Sequence, residues 1–309
     1  MIQIIVLYAL FASTFSLGKV LLYYAQPIFL VGIRMSIAGI VLLAYQYFHK
    51  DTVFKFKKKD WKLYVQAILF TCYFPYIFRF WGLEDMSPSK ASLLYTLGPF
   101  MTYMLSYLLH KEKITLKKTI GLLVGFIGLL PVLITPAPLE DIVGGIGVFS
   151  WAEIYIIISI SMLSYGWLIV HRLVKEKNYA PAMTNGISMF AGGILALITS
   201  FIFEPQNQVV TDYVPFFGIL AIVIIVSNLI CHNMYGTLLK KFSPTFVSFA
   251  SFLTPLFAAF YGWVFLNESI SWEFFLSLIC VAIGLGIFYQ DELLQKRKDQ
   301  EAMNVLEEL

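Results

Sequence analysis

The sequence predicts an all-α membrane protein of ten transmembrane helices, built as two inverted five-helix repeats. Three observations predict it: an apolar composition, apolar runs of bilayer length, and a second half that echoes the first. Of 309 residues, 59% are hydrophobic and 13% charged, whereas soluble proteins carry about 25% charged residues. A water-soluble fold of this size cannot bury so much apolar surface, and a bilayer can accept it.

A hydrocarbon core of about 30 Å needs about 20 apolar residues in helical form. Runs of that kind are expected at 2–22, 27–48, 62–82, 89–109, 116–134, 149–170, 182–203, 214–235, 245–266 and 272–290. The first run lacks a charged leading segment and a small-residue cleavage site, so it reads as a retained span and not a signal peptide. Within each span the backbone must satisfy its own hydrogen bonds, which selects helices. Strands of a transmembrane barrel would alternate over about ten residues, and no such pattern occurs. The tail 291–309 is charged and is expected to be a short cytoplasmic helix or disordered.

Lysine and arginine set the orientation. The loops near 49–62, 110–118, 171–178 and 236–243, together with the tail, hold most of the basic residues. The alternate loops carry Glu84, Asp85, Glu140, Asp141, Glu204 and Asp212. The basic side is the cytoplasmic side of an inner, or plasma, membrane. Both termini then lie in the cytoplasm, which an even span count also requires.

The halves repeat without a gap from Ser87 to Leu129 and from Ser243 to Leu285, at an offset of 156. Ser87, Pro88, Ser92, Leu97, Pro99, Glu112, Ile114, Leu122, Ile127, Gly128 and Leu129 meet identical residues. Earlier segments match at smaller offsets: Ser13, Ser16 and Gly18 with Ser161, Ser164 and Gly166, and Met35, Gly39 and Ile40 with Met189, Gly193 and Ile194. The units are therefore 1–142 and 143–290, followed by the tail 291–309. Five spans per unit, an odd number, insert the units in opposite senses. Glu112 is then expected at the cytoplasmic end of its span and Glu268 at the outer end of its own. Inverted repeats are a common plan of secondary transporters, whose substrate sits near the midplane between the halves.

The series Ser87-Pro88-Ser89-Lys90-Ala91-Ser92, Pro99, Glu112-Lys113-Ile114-Thr115, Gly121, Gly125 and Gly128, echoed from Ser243 to Gly284, resembles the EamA branch of the drug/metabolite transporter superfamily. The resemblance covers nearly the whole chain in span number, repeat and motif placement. It implies a ten-helix fold and alternating-access movement of amino acids, their derivatives, nucleobases or other small metabolites. The first span departs from the pattern, with Phe11-Ala12-Ser13 where many relatives carry a Trp-Gly pair.

The candidate site residues are those whose chemistry is costly in lipid. Lys19, Arg34 and Arg79 fall inside spans and Lys90 near an outer span end. A charge at depth costs a few kcal/mol, so it faces protein or water. These cations either snorkel or pair with acids at the outer surface, or line a vestibule for an anionic group. In the second half Trp167, Ser188 and Tyr235 stand where the first has Lys19, Arg34 and Arg79. Tyr76, Tyr95, Ser161, Tyr165, Trp167, Asn228, His232 and Ser251 complete the candidates as aromatic walls and polar tips for an organic ligand, with packing roles as the alternative. Pro99 and Pro255 lie mid-span, as static kinks or as hinges.

No Asp or Glu occupies the middle third of any expected span, so a buried-carboxylate proton pump has no candidate and uniport or exchange is favoured. His232 is the fallback for proton coupling. No catalytic residues, metal site or cofactor are expected, and Cys72, Cys231 and Cys280 have no metal or redox spacing. No Walker-type phosphate loop is present. No nucleic-acid partner is expected, and the partners are the bilayer and a small molecule. The 18 lysines against 4 arginines fit an AT-rich genome of a host-restricted bacterium. That points to uptake or exchange of an amino-acid-type compound, S-adenosylmethionine included, with an exporter of amino acids or drugs as the alternative. A membrane scaffold or receptor and an intramembrane enzyme are the readings from other classes.

Overall fold

The computed structural model describes residues 2–48, 57–85, 91, 94–110, 115–134, 150–204, 212–266 and 272–307. Every regular element among them is helical. The elements are α1 (Ile2–Leu22), α2 (Pro27–Phe48), α3 (Lys58–Glu84), α4 (Gly98–His110, entered by a tight turn at Tyr95–Leu97) and α5 (Leu116–Ile134). They continue as α6 (Trp151–Glu176), α7 (Pro181–Phe203), α8 (Tyr213–Lys241), α9 (Pro244–Phe249, a tight turn at Ala250–Phe252, then Leu253–Leu266) and α10 (Trp272–Glu307).

Among the described residues, seven helices are long and apolar enough to cross a bilayer: α1, α2, α3, α6, α7, α8 and the Phe275–Leu294 part of α10. The helices α4, α5 and α9 occupy further expected segments and are not among the seven. The last helix runs on to Glu307, through the segment expected to be a separate tail. Lys90, Glu112 and Glu268 lie outside the described residues, as do the loops carrying Glu140 and Asp141.

Helix ends follow from local chemistry. Ser150 and Glu153 form a reciprocal capping box at the start of α6, which satisfies two otherwise orphaned backbone N–H groups. Pro181 and Pro244 open α7 and α9, where the missing proline N–H leaves no bond unmade. The carboxylate of Glu204, just past α7, accepts from the backbone N–H groups of Ile28 (2.6 Å) and Phe29 (2.8 Å) at the start of α2. Glu292 on α10 accepts from Ser243 N and Oγ, both at 2.8 Å, ahead of α9. Acids thus meet the positive ends of helices away from the apolar mid-spans. Next to α7, Tyr179 donates to Asp60 at 2.8 Å. Burial and that carboxylate raise the Tyr179 hydroxyl above its ordinary range, so it stays protonated and remains a donor.

The most extensive helix contacts are α2 with α7 and α5 with α10. Both depend on glycines that let backbones approach. A Cβ on Gly39 would collide with the Phe190 backbone, and one on Gly193 with Ser36. Between α5 and α10, a Cβ on Gly121 would lie 2.9 Å from the Gly284 carbonyl. The outward faces of these helices carry bare apolar residues, among them Ile40, Ile198, Phe201 and Ile279, as lipid contact demands.

The pairing of helices has a regularity. α1 packs on α8 as α6 packs on α3; α1 packs on α9 as α6 packs on α4; α2 packs on α8 as α7 packs on α3. α2 with α7, α4 with α9, and α5 with α10 pair directly. Shifting every label by five leaves this list unchanged.

Candidate functional site

The middle of α3 contains a wide π-type turn, Ile68–Tyr73, and α8 contains another, Ile224–Cys231. Such turns insert extra backbone and often mark functional positions. Their first residues, Ile68 and Ile224, are 156 positions apart, the offset of the sequence repeat. Each turn delivers a polar ring into the molecule's centre: Tyr76 from α3 and His232 from α8, both buried.

The two rings bind each other, Tyr76 Oη to His232 Nε2 at 2.8 Å. His232 Nδ1 lies 2.7 Å from the Ser227 carbonyl oxygen. A carbonyl only accepts, so Nδ1 carries hydrogen. In the neutral imidazole Nε2 then accepts, and Tyr76 is the donor. The His232 backbone carbonyl accepts from Asn185 Nδ2 of α7 at 2.9 Å. As a neutral imidazole, His232 is held in one tautomer by Tyr76 of α3 and the Ser227 carbonyl of its own helix.

Around this pair lies a cavity of about 100 Å³, room for several water molecules at roughly 10–15 Å³ each. Arg79 contributes its guanidinium to the lining. It stands over Phe15 at 4.2 Å, Tyr95 at 5.6 Å and Tyr76 at 5.9 Å. Its Nη2 reaches Thr14 Oγ1 at 3.4 Å, and its Nε has no partner. Tyr95 donates to Ser159 Oγ (2.9 Å), which donates to the Pro75 carbonyl (2.7 Å). Trp167 stacks on Tyr235 with centroids 4.0 Å apart and sits 5.5 Å from His232. Phe11 meets His232 edge-on at 6.0 Å, and Tyr8 donates to the Val247 carbonyl at 2.5 Å. Hydroxyls of Thr102, Ser164, Ser248, Ser251 and Thr254 complete a mixed lining that, among the described residues, contains no acid.

Of the residues picked out by sequence, Arg79, Tyr76, Tyr95, Trp167, His232 and Ser251 line this cavity. The others do not. Lys19 donates to the carbonyls of Leu83 (2.6 Å) and Glu84 (2.7 Å), at the end of α3. Arg34 is buried with its guanidinium 4.5 Å over the Tyr76 ring and 5.4 Å over Phe80, and its Nε and Nη2 have no hydrogen-bond partner. Ser161 donates back to the Ile157 carbonyl at 2.9 Å, and Tyr165 packs edge-on against Phe70. Asn228 donates to Met35 Sδ at 3.1 Å. Pro99 and Pro255 follow the tight turns at Tyr95–Leu97 and Ala250–Phe252, so each helix break is a short tightened segment just ahead of its proline.

Sequence reasoning missed Tyr8, Phe11, Phe15, Thr102, Ser164, Tyr235 and Ser248 among the lining. A signal was present in the repeat. At the 156-residue offset, Tyr76 maps to His232, Arg79 to Tyr235, Tyr95 to Ser251 and Gly98 to Thr254, and all eight line the cavity.

Comparison with known proteins agrees with this architecture. The model of the EamA-like transporter family matches twice, over residues 1–134 and 150–290. A protein of Chlamydia muridarum named an S-adenosylmethionine/S-adenosylhomocysteine transporter is 32% identical over 294 residues, 93% of this chain and 90% of the relative. A protein of the same name from Chlamydia trachomatis serovar D is 30% identical over 288 residues, 93% of this chain and 88% of the relative. The uncharacterized transporter YoaV of Bacillus subtilis is 23% identical, over 93% of this chain and 96% of that one. A solved crystal structure shares the fold with a TM-score of 0.73 over 96% of both chains, at 17% identity.

Proposed function

This chain belongs to the EamA-like transporter family, and from that premise we propose that it exchanges S-adenosylmethionine for S-adenosylhomocysteine across the inner membrane by alternating access. The observation that carries the substrate reading is the central cavity, with one guanidinium, no acid and several aromatic faces. It is supported by the names borne by the two chlamydial relatives. Both compounds are α-amino acids bearing adenosine. Arg79 is the side chain to receive the carboxylate, because its guanidinium is the cation in the lining. A flat adenine suits the aromatic walls.

The reading includes ten spans in two inverted units, 1–142 and 143–290, with both termini in the cytoplasm. The exchange symmetry of the helix contacts supports it, as do the two separate family matches. Alternating access follows because two similar halves can trade conformations at similar energy. Pro99 and Pro255 serve as the flexing points, since each adjoins a tightened turn that borders the cavity.

The test is counterflow in proteoliposomes. Vesicles loaded with unlabelled S-adenosylhomocysteine are given labelled S-adenosylmethionine outside, with amino acids and nucleobases as competitors. Trans-stimulated uptake that only adenosyl amino acids suppress is the expected result. Uptake suppressed equally by ordinary amino acids would replace the substrate assignment, and labelling that put Glu112 and Glu268 on one membrane face would end the inverted-repeat reading.

A further inference from the structure

Matched positions of the repeat line two parts of the cavity, and only the first part holds a guanidinium. In the first part, Phe15, Tyr76 and Tyr95 face the guanidinium of Arg79, between 4.2 and 5.9 Å from their ring centroids. In the second part, Tyr235 stands where the repeat places Arg79, and Trp167 where it places Lys19. There Phe11, Trp167 and Tyr235 line the cavity, and among the described residues no lysine or arginine lies over any of their rings. His232 lies beside Trp167 and Phe11.

We propose that the Phe11–Trp167–Tyr235 wall is a subsite for an organic cation carried by the ligand. A ring face attracts a cation, tryptophan most strongly, and the attraction rises when water is excluded. The first part is already occupied by the protein's own cation; the second takes the ligand's. Taken with the substrate reading above, on which this part rests, the cation is the sulfonium of S-adenosylmethionine. The ligand then sets its carboxylate at Arg79 and its sulfonium at the aromatic wall, whose rings no guanidinium overlies. S-adenosylhomocysteine has a neutral thioether at the same position, so this wall is where the two exchange partners are told apart.

The test measures binding to the full chain in nanodiscs by calorimetry, with S-adenosylmethionine, S-adenosylhomocysteine and tetramethylammonium as probes. Trp167→Leu is expected to weaken S-adenosylmethionine roughly tenfold, the size of a desolvated cation–π contact, and S-adenosylhomocysteine by less than about twofold. Tetramethylammonium is expected to compete with S-adenosylmethionine in the unaltered protein and roughly tenfold less well in Trp167→Leu. Should that variant not fold, Phe11→Leu carries the same comparison. Equal weakening of both adenosyl compounds, with no competition by tetramethylammonium, would overturn the cation subsite and leave the substrate reading standing. Tetramethylammonium binding that depends on Trp167, with neither adenosyl compound bound, would uphold the subsite and overturn the substrate.

Discussion

Tyr76 and His232 are hydrogen-bonded at 2.8 Å and separated by 156 residues in the chain, the same interval by which the sequence repeats. The contact joins two residues at matched positions of the sequence repeat, and both line the cavity. Each partner satisfies a polar atom the other would otherwise leave bare in the interior. Tyr76→Phe is expected to destabilise the protein by about 1–3 kcal/mol by stranding Nε2, and His232→Leu by at least as much. The double variant is expected to cost less than the sum, because no stranded partner remains. Thermal unfolding in detergent measures the cycle; strict additivity would show that the bond is not a stabilising contact.

The α2–α7 pair has a different role. Its glycines face backbone, so the site of Gly193 has no room for a methyl group. Gly193→Ala and Gly39→Ala are each expected to lower stability by about 1–3 kcal/mol through overpacking. Gly218 on α8 has no atom within 4 Å of a built Cβ, so Gly218→Ala is the control and should leave the melting temperature nearly unchanged. A melting temperature for Gly193→Ala equal to that of the control would mean that the helices can separate without cost.

Several span positions were readable because lipid imposes one rule, a run of about 20 apolar residues: 2–22 and 27–48 match α1 and α2 to the residue, whereas α4, α5 and α9 are not among the seven described helices long and apolar enough to cross. The cavity was only half readable. Arg79 and His232 stood out because charge and imidazole are rare in spans, but the same rule also selected Lys19, which serves backbone carbonyls at a helix end. Arg34 and Arg79 look alike in sequence, and only tertiary packing sets Arg79 in the lining and Arg34 over the Tyr76 ring. Phe15 carried no signal, since phenylalanine is ordinary in a membrane helix, and Phe11 stood out only as a departure from the family pattern. The π-turns of α3 and α8 leave no trace in composition, yet they decide which way Tyr76 and His232 point.

That difference between the two arginines is testable. Arg79→Gln is expected to lower the affinity for S-adenosylmethionine by one to two orders of magnitude, a charge-assisted contact of about 1.5–3 kcal/mol. The same change should matter little for decarboxylated S-adenosylmethionine, which has no carboxylate to lose. Arg34→Gln acts through the Tyr76 ring and should weaken both compounds alike. If Arg79→Gln penalised the decarboxylated compound as heavily, Arg79 would be a packing residue of the cavity and not the carboxylate partner.

The exchange reading also fixes an electrical sign. At neutral pH S-adenosylmethionine carries a carboxylate, an ammonium and a sulfonium, one net positive charge. S-adenosylhomocysteine carries the first two and is neutral. Among the described residues the cavity lining has no carboxylate to carry a compensating proton outward, so each inward S-adenosylmethionine exchanged for an outward S-adenosylhomocysteine moves one charge. An inside-negative potential of 100 mV adds about 2.3 kcal/mol to that import, about 50-fold in the accumulation ratio. Potassium diffusion potentials set by valinomycin in proteoliposomes test this directly. Accumulation of labelled S-adenosylmethionine against internal S-adenosylhomocysteine should rise with an inside-negative potential and fall when it is reversed. Exchange of S-adenosylmethionine for itself moves no net charge, so its end point should be unaffected. Accumulation indifferent to the potential would require another ion to cross with the substrate, and the charge-uncompensated cycle would have to be given up.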